Sequence, residues 1–310
     1  MFYSLKDKLN RYLFYNTCKQ IFITAPVTAK TKEPIVVLTQ LQHKDVILFL
    51  IAIKTFARQV PLSKVFIIND GSLNNDDLII LWQHIPIADF YDADQFSDPL
   101  CPTGGCWERL LAIASFIDQY YIIQLDSDTL TLSALDEVNG HIKTNTGFVI
   151  GTWDNQKIEP MNVTSERAQK NNNHVQMLAE IHFSKLEGSE NMKYIRGCAG
   201  FSGFPKGSYN KQFIMDFSQK MEKEIGSKWH EWGSEQVMSN VVVANLEKAN
   251  GLPHPKYSDC NNMKPPITHF IHFIGDCRFK RAIYAKLAKN EIIKLSNSVE
   301  KWPGNQGKQR

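Results

Sequence analysis

The stretch Tyr120-Tyr121-Ile122-Ile123-Gln124-Leu125-Asp126-Ser127-Asp128 decides how this chain folds. Its first six residues carry a single polar side chain, the pattern of a strand buried on both faces. The strand runs straight into two carboxylates separated by one small residue. Upstream, Glu33-Pro34 opens a strand over residues 35–39, and a helix apolar on most sides follows over 44–58. Pro61 ends that unit. Residues 65–68 form a second buried strand, closed by the turn Asn69-Asp70-Gly71-Ser72. A helix over 75–84 and a short strand over 88–91 come next. Thr103 is placed to cap a helix over 105–118, whose Leu110, Ile113, Ala114 and Ile117 keep helical spacing. The alternation of strands and helices predicts an α/β fold, with a mainly parallel sheet covered by helices. Ligands of such sheets bind at the carboxyl ends of the strands, so Asp70 and Asp126 should share one crevice.

The second half is less regular. A strand is expected over 148–153, a polar loop over 154–173, and a small-residue segment over 194–204 that holds Gly197, Cys198, Ala199, Gly200, Ser202 and Gly203. Helices are expected over 212–225, 234–246 and 281–296, with a late strand over 268–274. We find no repeat and no clear linker. The expected organisation is a helical lead-in (1–32), one domain (33–280) with a nucleotide-type half (33–130) and a second half (131–280), and a basic tail (281–310).

Composition excludes more than it selects. The chain has 310 residues, 43% hydrophobic and 22% charged, within ordinary globular values. With 35 Lys+Arg against 32 Asp+Glu, the formal charge of +3 gives no overall basic field to attract nucleic acid. Eighteen Phe, ten Tyr and six Trp argue against disorder. None of the six cysteines forms a C-x-x-C pair, which leaves structural zinc with little support. A chain this long does not need disulfides, so the milder expectation is a reducing, cytoplasmic setting. The longest apolar run, Val46 to Ile53, falls far short of the ~20 residues that span a bilayer.

Asp126-Ser127-Asp128 carries the chemistry. Hard divalent cations take oxygen ligands and complete their shells with substrate phosphates, so two carboxylates at a strand end can hold Mn²⁺ or Mg²⁺ against a diphosphate. The same pattern also suits a plain turn in which Asp caps the following element. Near the C-terminus stands His272-Phe273-Ile274-Gly275-Asp276-Cys277-Arg278. His272 is either a core histidine or a third metal ligand. Gly275 lets backbone approach a phosphate, and Arg278 can grip phosphate oxygens bidentately.

Together, an Asp-x-Asp after a buried strand and a late His-x-x-Gly-x-x-Arg resemble the GT-A glycosyltransferases, above all the retaining glycogenin and lipopolysaccharide galactosyltransferase group. The resemblance spans roughly residues 34–280 through short motifs. It implies a GT-A, Rossmann-like sandwich and transfer of a sugar, with retention, from a nucleotide sugar such as a UDP-sugar to a hydroxyl acceptor. The acceptor would be a carbohydrate, a lipid-linked molecule or a protein. It implies Asp126, Asp128 and His272 as Mn²⁺ ligands and Arg278 on the donor diphosphate, where the family usually has lysine. Donor contacts are implied for Asp70, Arg109, Ser127 and Gly275. A surface ion pair of Arg109 with Glu108 or Asp118 is the alternative. Glu235-Gln236 resembles the Asp-Gln pair that faces the reacting sugar, and a helix-start carboxylate complementing the macrodipole is the plainer reason for Glu235. Residues 197–203 resemble the segment lining the sugar cleft, against tight strand packing as the alternative.

Two departures stand out. The first strand reads Leu38-Thr39-Gln40 where the family has an aspartate, and no Pro-Trp follows Arg278. A sugar nucleotidyltransferase is the runner-up, but the expected glycine-rich phosphate loop after the first strand is replaced by Thr39-Gln40-Leu41-Gln42-His43-Lys44. A glycosyltransferase-like binding protein without turnover is the non-enzymatic alternative. The tail helix, with Lys280, Arg281, Lys286, Lys289 and Lys294 beside Ile283, Leu287 and Ile293, suits either peripheral contact with an anionic membrane or a solvated face.

Overall fold

The computed structural model describes residues 2–168, 173–279 and 282–297. Lys280, Arg281, residues 169–172 of the expected polar loop and tail residues 298–310 lie outside the described residues. In chain order the strands are β1 (Ile35–Leu41), β2 (Lys64–Asn69), β3 (Ala88–Asp92), β4 (Tyr121–Leu125), β5 (Thr129–Thr131), β6 (Phe148–Ile150), β7 (Glu159–Pro160), β8 (Lys193–Tyr194), β9 (Cys198–Phe204), β10 (Asn250–Leu252), β11 (Tyr257–Asp259) and β12 (Phe270–His272). The helices are α1 (Phe2–Cys18), α2 (Val46–Phe56), α3 (Asn75–His84), α4 (Trp107–Phe116), α5 (Asp136–Thr144), α6 (Met161–Arg167), α7 (Val175–His182), α8 (Lys211–Ile225), α9 (Ser234–Ala244) and α10 (Ile283–Asn297).

Seven strands form the central sheet in the order β10-β6-β9-β4-β1-β2-β3. All neighbours pair in parallel except β9, which runs antiparallel to both β4 and β6. This is the α/β sandwich that the alternation predicts. Strand β1 explains the two layers. Its Val37 and Leu41 enter one apolar cluster with α2, while Val36 and Leu38 enter another with Leu110 and Ile113 of α4 and Val241 of α9. A strand covered on both faces has to be apolar throughout, and β1, β2 and β4 are nearly so.

A second sheet, β11-β12-β5, stands beside the first. Strand β5 follows β4 after a three-residue turn, so Asp126-Ser127-Asp128 is the link between the two sheets. The rings of Phe201 (β9) and Phe270 (β12) stack at 4.0 Å between centroids and clamp the sheets together.

The first and last described helices belong to this core. Phe14, Cys18 and Ile21 are buried, and the Phe14 ring packs 4.7 Å from Tyr284 and 5.4 Å from Phe279. Lys54, buried in α2, donates from Nζ to the carbonyls of Thr24 and Ala25, and its Nζ lies 2.9 Å from His84 Nδ1. Burial lowers its pKa to about 8. Helix α10 turns Tyr284, Ala288, Ile292 and Leu295 inward, with Ile283 and Leu287 half-buried and Ile293 exposed. Among the described residues, no helix is long and apolar enough to cross a membrane.

Three local expectations are corrected. Residues 154–173 are not all loop, because Glu159–Pro160 is a strand and Met161–Arg167 a helix. Thr103 does not cap α4. The residue before the helix, Cys106, has a left-handed backbone (φ 73°) without a side-chain cap bond, and Glu108 accepts the Gly104 N–H at 2.6 Å. The cysteines are not all unpaired either. Pairing of β11 with β12 brings Cys260 beside the turn after β12, where it is joined to Cys277 in a disulfide.

Candidate metal and diphosphate site

Four strands converge on the Asp-x-Asp turn. The Asp126 N–H donates to Gly200 O of β9 at 2.9 Å, and Thr129 Oγ1 donates to Asp126 O at 2.9 Å, closing the turn. On the other side, the Phe273 N–H donates to Asp128 O at 2.8 Å, and His272 is paired with Thr129 across β12 and β5. Asp126, Asp128 and His272 are thus assembled by backbone pairing. One ligand atom from each lies within 4.8 Å of the others. His272 Nε2 is 3.0 Å from Asp128 Oδ1 and 3.6 Å from Asp126 Oδ2.

Two arginines neutralise these acids. Arg109, only 4% exposed, donates from one guanidinium nitrogen to Asp126 and from the other to Glu235 at 3.2 Å. The surface pairing of Arg109 with Glu108 or Asp118 is thereby replaced by a buried bridge. Arg278 donates to Asp128 and stands 3.8 Å from Asp45. Burial pushes the Asp128 carboxyl up, but His272 and Arg278 outweigh it and hold its pKa at about 2. Burial opposes charge on His272 as well, yet the Cys198 sulfur and Asp128 drive its pKa well above the ordinary value.

Burial likewise raises Glu235, which Arg109 lowers and Asp126 raises again, to about 7. The two members of the Glu235-Gln236 pair diverge. Glu235 joins the Arg109 bridge, while Gln236 turns to Gln176 Oε1 of α7 at 3.4 Å. Asp70 does not join the cluster. It sits in an exposed turn at the end of β2, two strands from β4, and its Oδ1 accepts the Ser72 N–H at 2.9 Å. Ser127 is half-buried at the centre of the turn. Gly275 has a left-handed backbone (φ 48°) with open space where a side chain would stand, three residues before Arg278.

Residues that sequence reasoning passed over complete the surroundings. Asp45 is buried at the start of α2, and burial raises its pKa against the lowering effect of Arg278. Gln40 Oε1 accepts the Arg109 N–H at 3.2 Å, so the departure in the first strand serves to anchor α4. Cys198 Sγ touches His272 Nδ1 at 3.0 Å. Gly203 of β9 and Gly197 just before it are tightly packed: a Cβ on Gly203 would overlap the Phe148 ring, and one on Gly197 would press into Val149.

The donor set fits a divalent cation. Two carboxylates and an imidazole suit Mn²⁺, and carboxylates alone would suit Mg²⁺. Polar atoms around the cluster also await partners: Arg109 Nε, Arg278 Nε, Glu235 Oε1 and Asp45 Oδ1 are buried without a hydrogen bond. Buried polar atoms normally find one, so the cluster has unused capacity for a polar ligand.

No protein-family model and no curated protein sequence matches the chain. Solved structures do resemble it. The glycosyltransferase GlyE from Streptococcus pneumoniae is 12% identical with a TM-score of 0.48, over 89% of this chain and 66% of GlyE. The galactosyltransferase LgtC, solved with donor and acceptor sugar analogues, is 9% identical with a TM-score of 0.44, over 87% of this chain and 98% of LgtC. The bifunctional glycosyltransferase WbbM is 12% identical with a TM-score of 0.45, over 88% of this chain. The chain spans about half of WbbM, 53% of its length. These are distant similarities of chain path, and the chemistry of the site rests on its own side chains.

Proposed function

We propose that this protein is a metal-dependent glycosyltransferase that moves a sugar from a nucleotide-sugar donor, a UDP-sugar in the first instance, to a hydroxyl acceptor. The observation that carries the reading is one cluster: Asp126, Asp128 and His272 gathered within 4.8 Å, with Arg109 and Arg278 bonded to its carboxylates. Acids that hold a cation, next to a guanidinium group such as Arg278 that can grip phosphate, are what a leaving diphosphate requires. Bound by the three ligands, Mn²⁺ or Mg²⁺ supplies a Lewis acid that offsets charge on the departing oxygen.

The chain's own groups do the rest. Arg278, bonded to Asp128 in the metal-free site, would donate to the diphosphate when Asp128 serves as a metal ligand. Arg109 stays between Asp126 and Glu235, which fixes both carboxylates. Glu235 lies on the side of Arg109 away from Asp126 and stabilises positive charge growing on the sugar, as in glycoside cleavage generally. Retention follows the resemblance of the motifs. Inversion has one observation in its favour: with its pKa raised to about 7, Glu235 suits a general base near neutrality. Anomer-resolved NMR of the product separates the two. Asp70, at the end of β2, is proposed as a contact for the nucleoside. For an acceptor at a membrane, the exposed Lys286, Lys289 and Lys294 of α10 are the proposed contacts.

A thermal-shift panel of nucleotide sugars with and without Mn²⁺ tests the reading, because a ligand held only by the folded state raises its apparent stability. We expect a shift for one nucleotide family that requires Mn²⁺ and is lost in Asp128→Asn. A shift that persists without metal, or in Asp128→Asn, removes the metal assignment.

A further inference from the structure

His272 has two ring nitrogens, and only one can face a cation. Its Nε2 points at Asp128 and Asp126, so a metal there needs the proton on Nδ1 and an acceptor for that proton. Metal-bound histidines commonly use a carboxylate, a carbonyl or water for this purpose. Here the atom at Nδ1 is a sulfur, Cys198 Sγ at 3.0 Å. Beneath the ring runs the backbone of Gly200. A Cβ at that position would overlap Cε1, Nδ1 and Nε2 of His272 together. The same glycine accepts the Asp126 N–H through its carbonyl, so one strand seats both the imidazole and a carboxylate.

We propose that Cys198 and Gly200 of β9 form the cradle of His272, Cys198 accepting a hydrogen bond from Nδ1–H so that Nε2 is presented as a neutral ligand atom, and Gly200 admitting the ring against the strand. Both are positioning residues, since neither reaches the cation or the donor. The inference rests on the metal reading above. It also gives the small residues of β9 a purpose that lining a sugar cleft does not require.

The test reads metal binding by the whole protein, without turnover. Free Mn²⁺ is followed by electron paramagnetic resonance during titration of the unsubstituted protein, Cys198→Val, Cys198→Ser and Gly200→Ala, with thermal unfolding in chelator as the control for folding. Valine fills the space of cysteine without accepting a hydrogen bond, whereas the serine hydroxyl accepts one. We expect Cys198→Val to weaken Mn²⁺ roughly 10–100-fold and Cys198→Ser to stay within about threefold of the parent, the range typical of partners behind a metal ligand. Gly200→Ala should weaken Mn²⁺ at least as much as Cys198→Val. If it fails to fold, the valine and serine pair decides alone. Parent-like binding by Cys198→Val, or equal losses in Val and Ser, overturns the cradle and leaves the metal reading standing. A parent protein that binds no Mn²⁺ overturns both.

Discussion

Glu235 lies under opposing influences. Burial in the first turn of α9 drives its pKa up, Arg109 pulls it down and Asp126 pushes it up again, from 4.5 to about 7. Between those two values the folded protein keeps a proton that the unfolded chain releases. The group therefore adds stability in full below about pH 4.5 and loses it as pH rises to about 7. Glu235→Gln should erase that dependence. In chelator, the stability of the parent minus that of the variant should fall with rising pH across this window, with a slope of at most about 1.4 kcal/mol for each step of one in pH. Denaturant titrations at several pH values measure it, and a flat difference would mean that Glu235 is ionised throughout.

At the scale of the element, α1 and α10 behave as one unit. Phe14 is 1% exposed and meets Tyr284 of α10, so α1 is core rather than an appendage. Phe14→Ala should cost about 3–5 kcal/mol, the usual range for a buried phenylalanine, read as a lower denaturant midpoint. A loss below about 1 kcal/mol would place that packing outside the usual range and show α1 to be dispensable. The elements legible in the sequence are those with long apolar signals: β1, β2, β4, α2 and α8. Helix α3 is equally plain because Asn74 and Asp77 form a capping box. The elements that escape are short. Helices α5, α6 and α7 have nine, seven and eight residues, and β10 and β11 three each, too few for a period to emerge.

For the whole molecule, the site is legible only where its parts are close in sequence or carry a distinctive residue type. Asp126 and Asp128 announce themselves locally. His272 lies 144 residues from Asp128, and Arg278 lies 150, so motif order rather than spacing brings them into view. Asp45, Gln40 and Cys198 give no signal, because their roles come from contacts across the sheets. Adjacent residues also diverge in space: helix α9 turns Gln236 towards α7, while Glu235 faces Arg109.

The turn between β4 and β5 is a link between two sheets, and this has a consequence for how the molecule breathes. Asp126 is bonded to the large sheet through Gly200, whereas Asp128 and His272 belong to the small one. Under the proposed metal reading, a cation shared among them would be a non-covalent weld across the seam. The amides of β5, β11 and β12 should therefore exchange with solvent as one cooperative unit, at a free energy below global unfolding. Saturating Mn²⁺ should slow them together, while amides of β2 and β3 at the far edge keep their rates. Hydrogen exchange followed by mass spectrometry reads this directly, and equal slowing everywhere would mean that the two sheets already open as one.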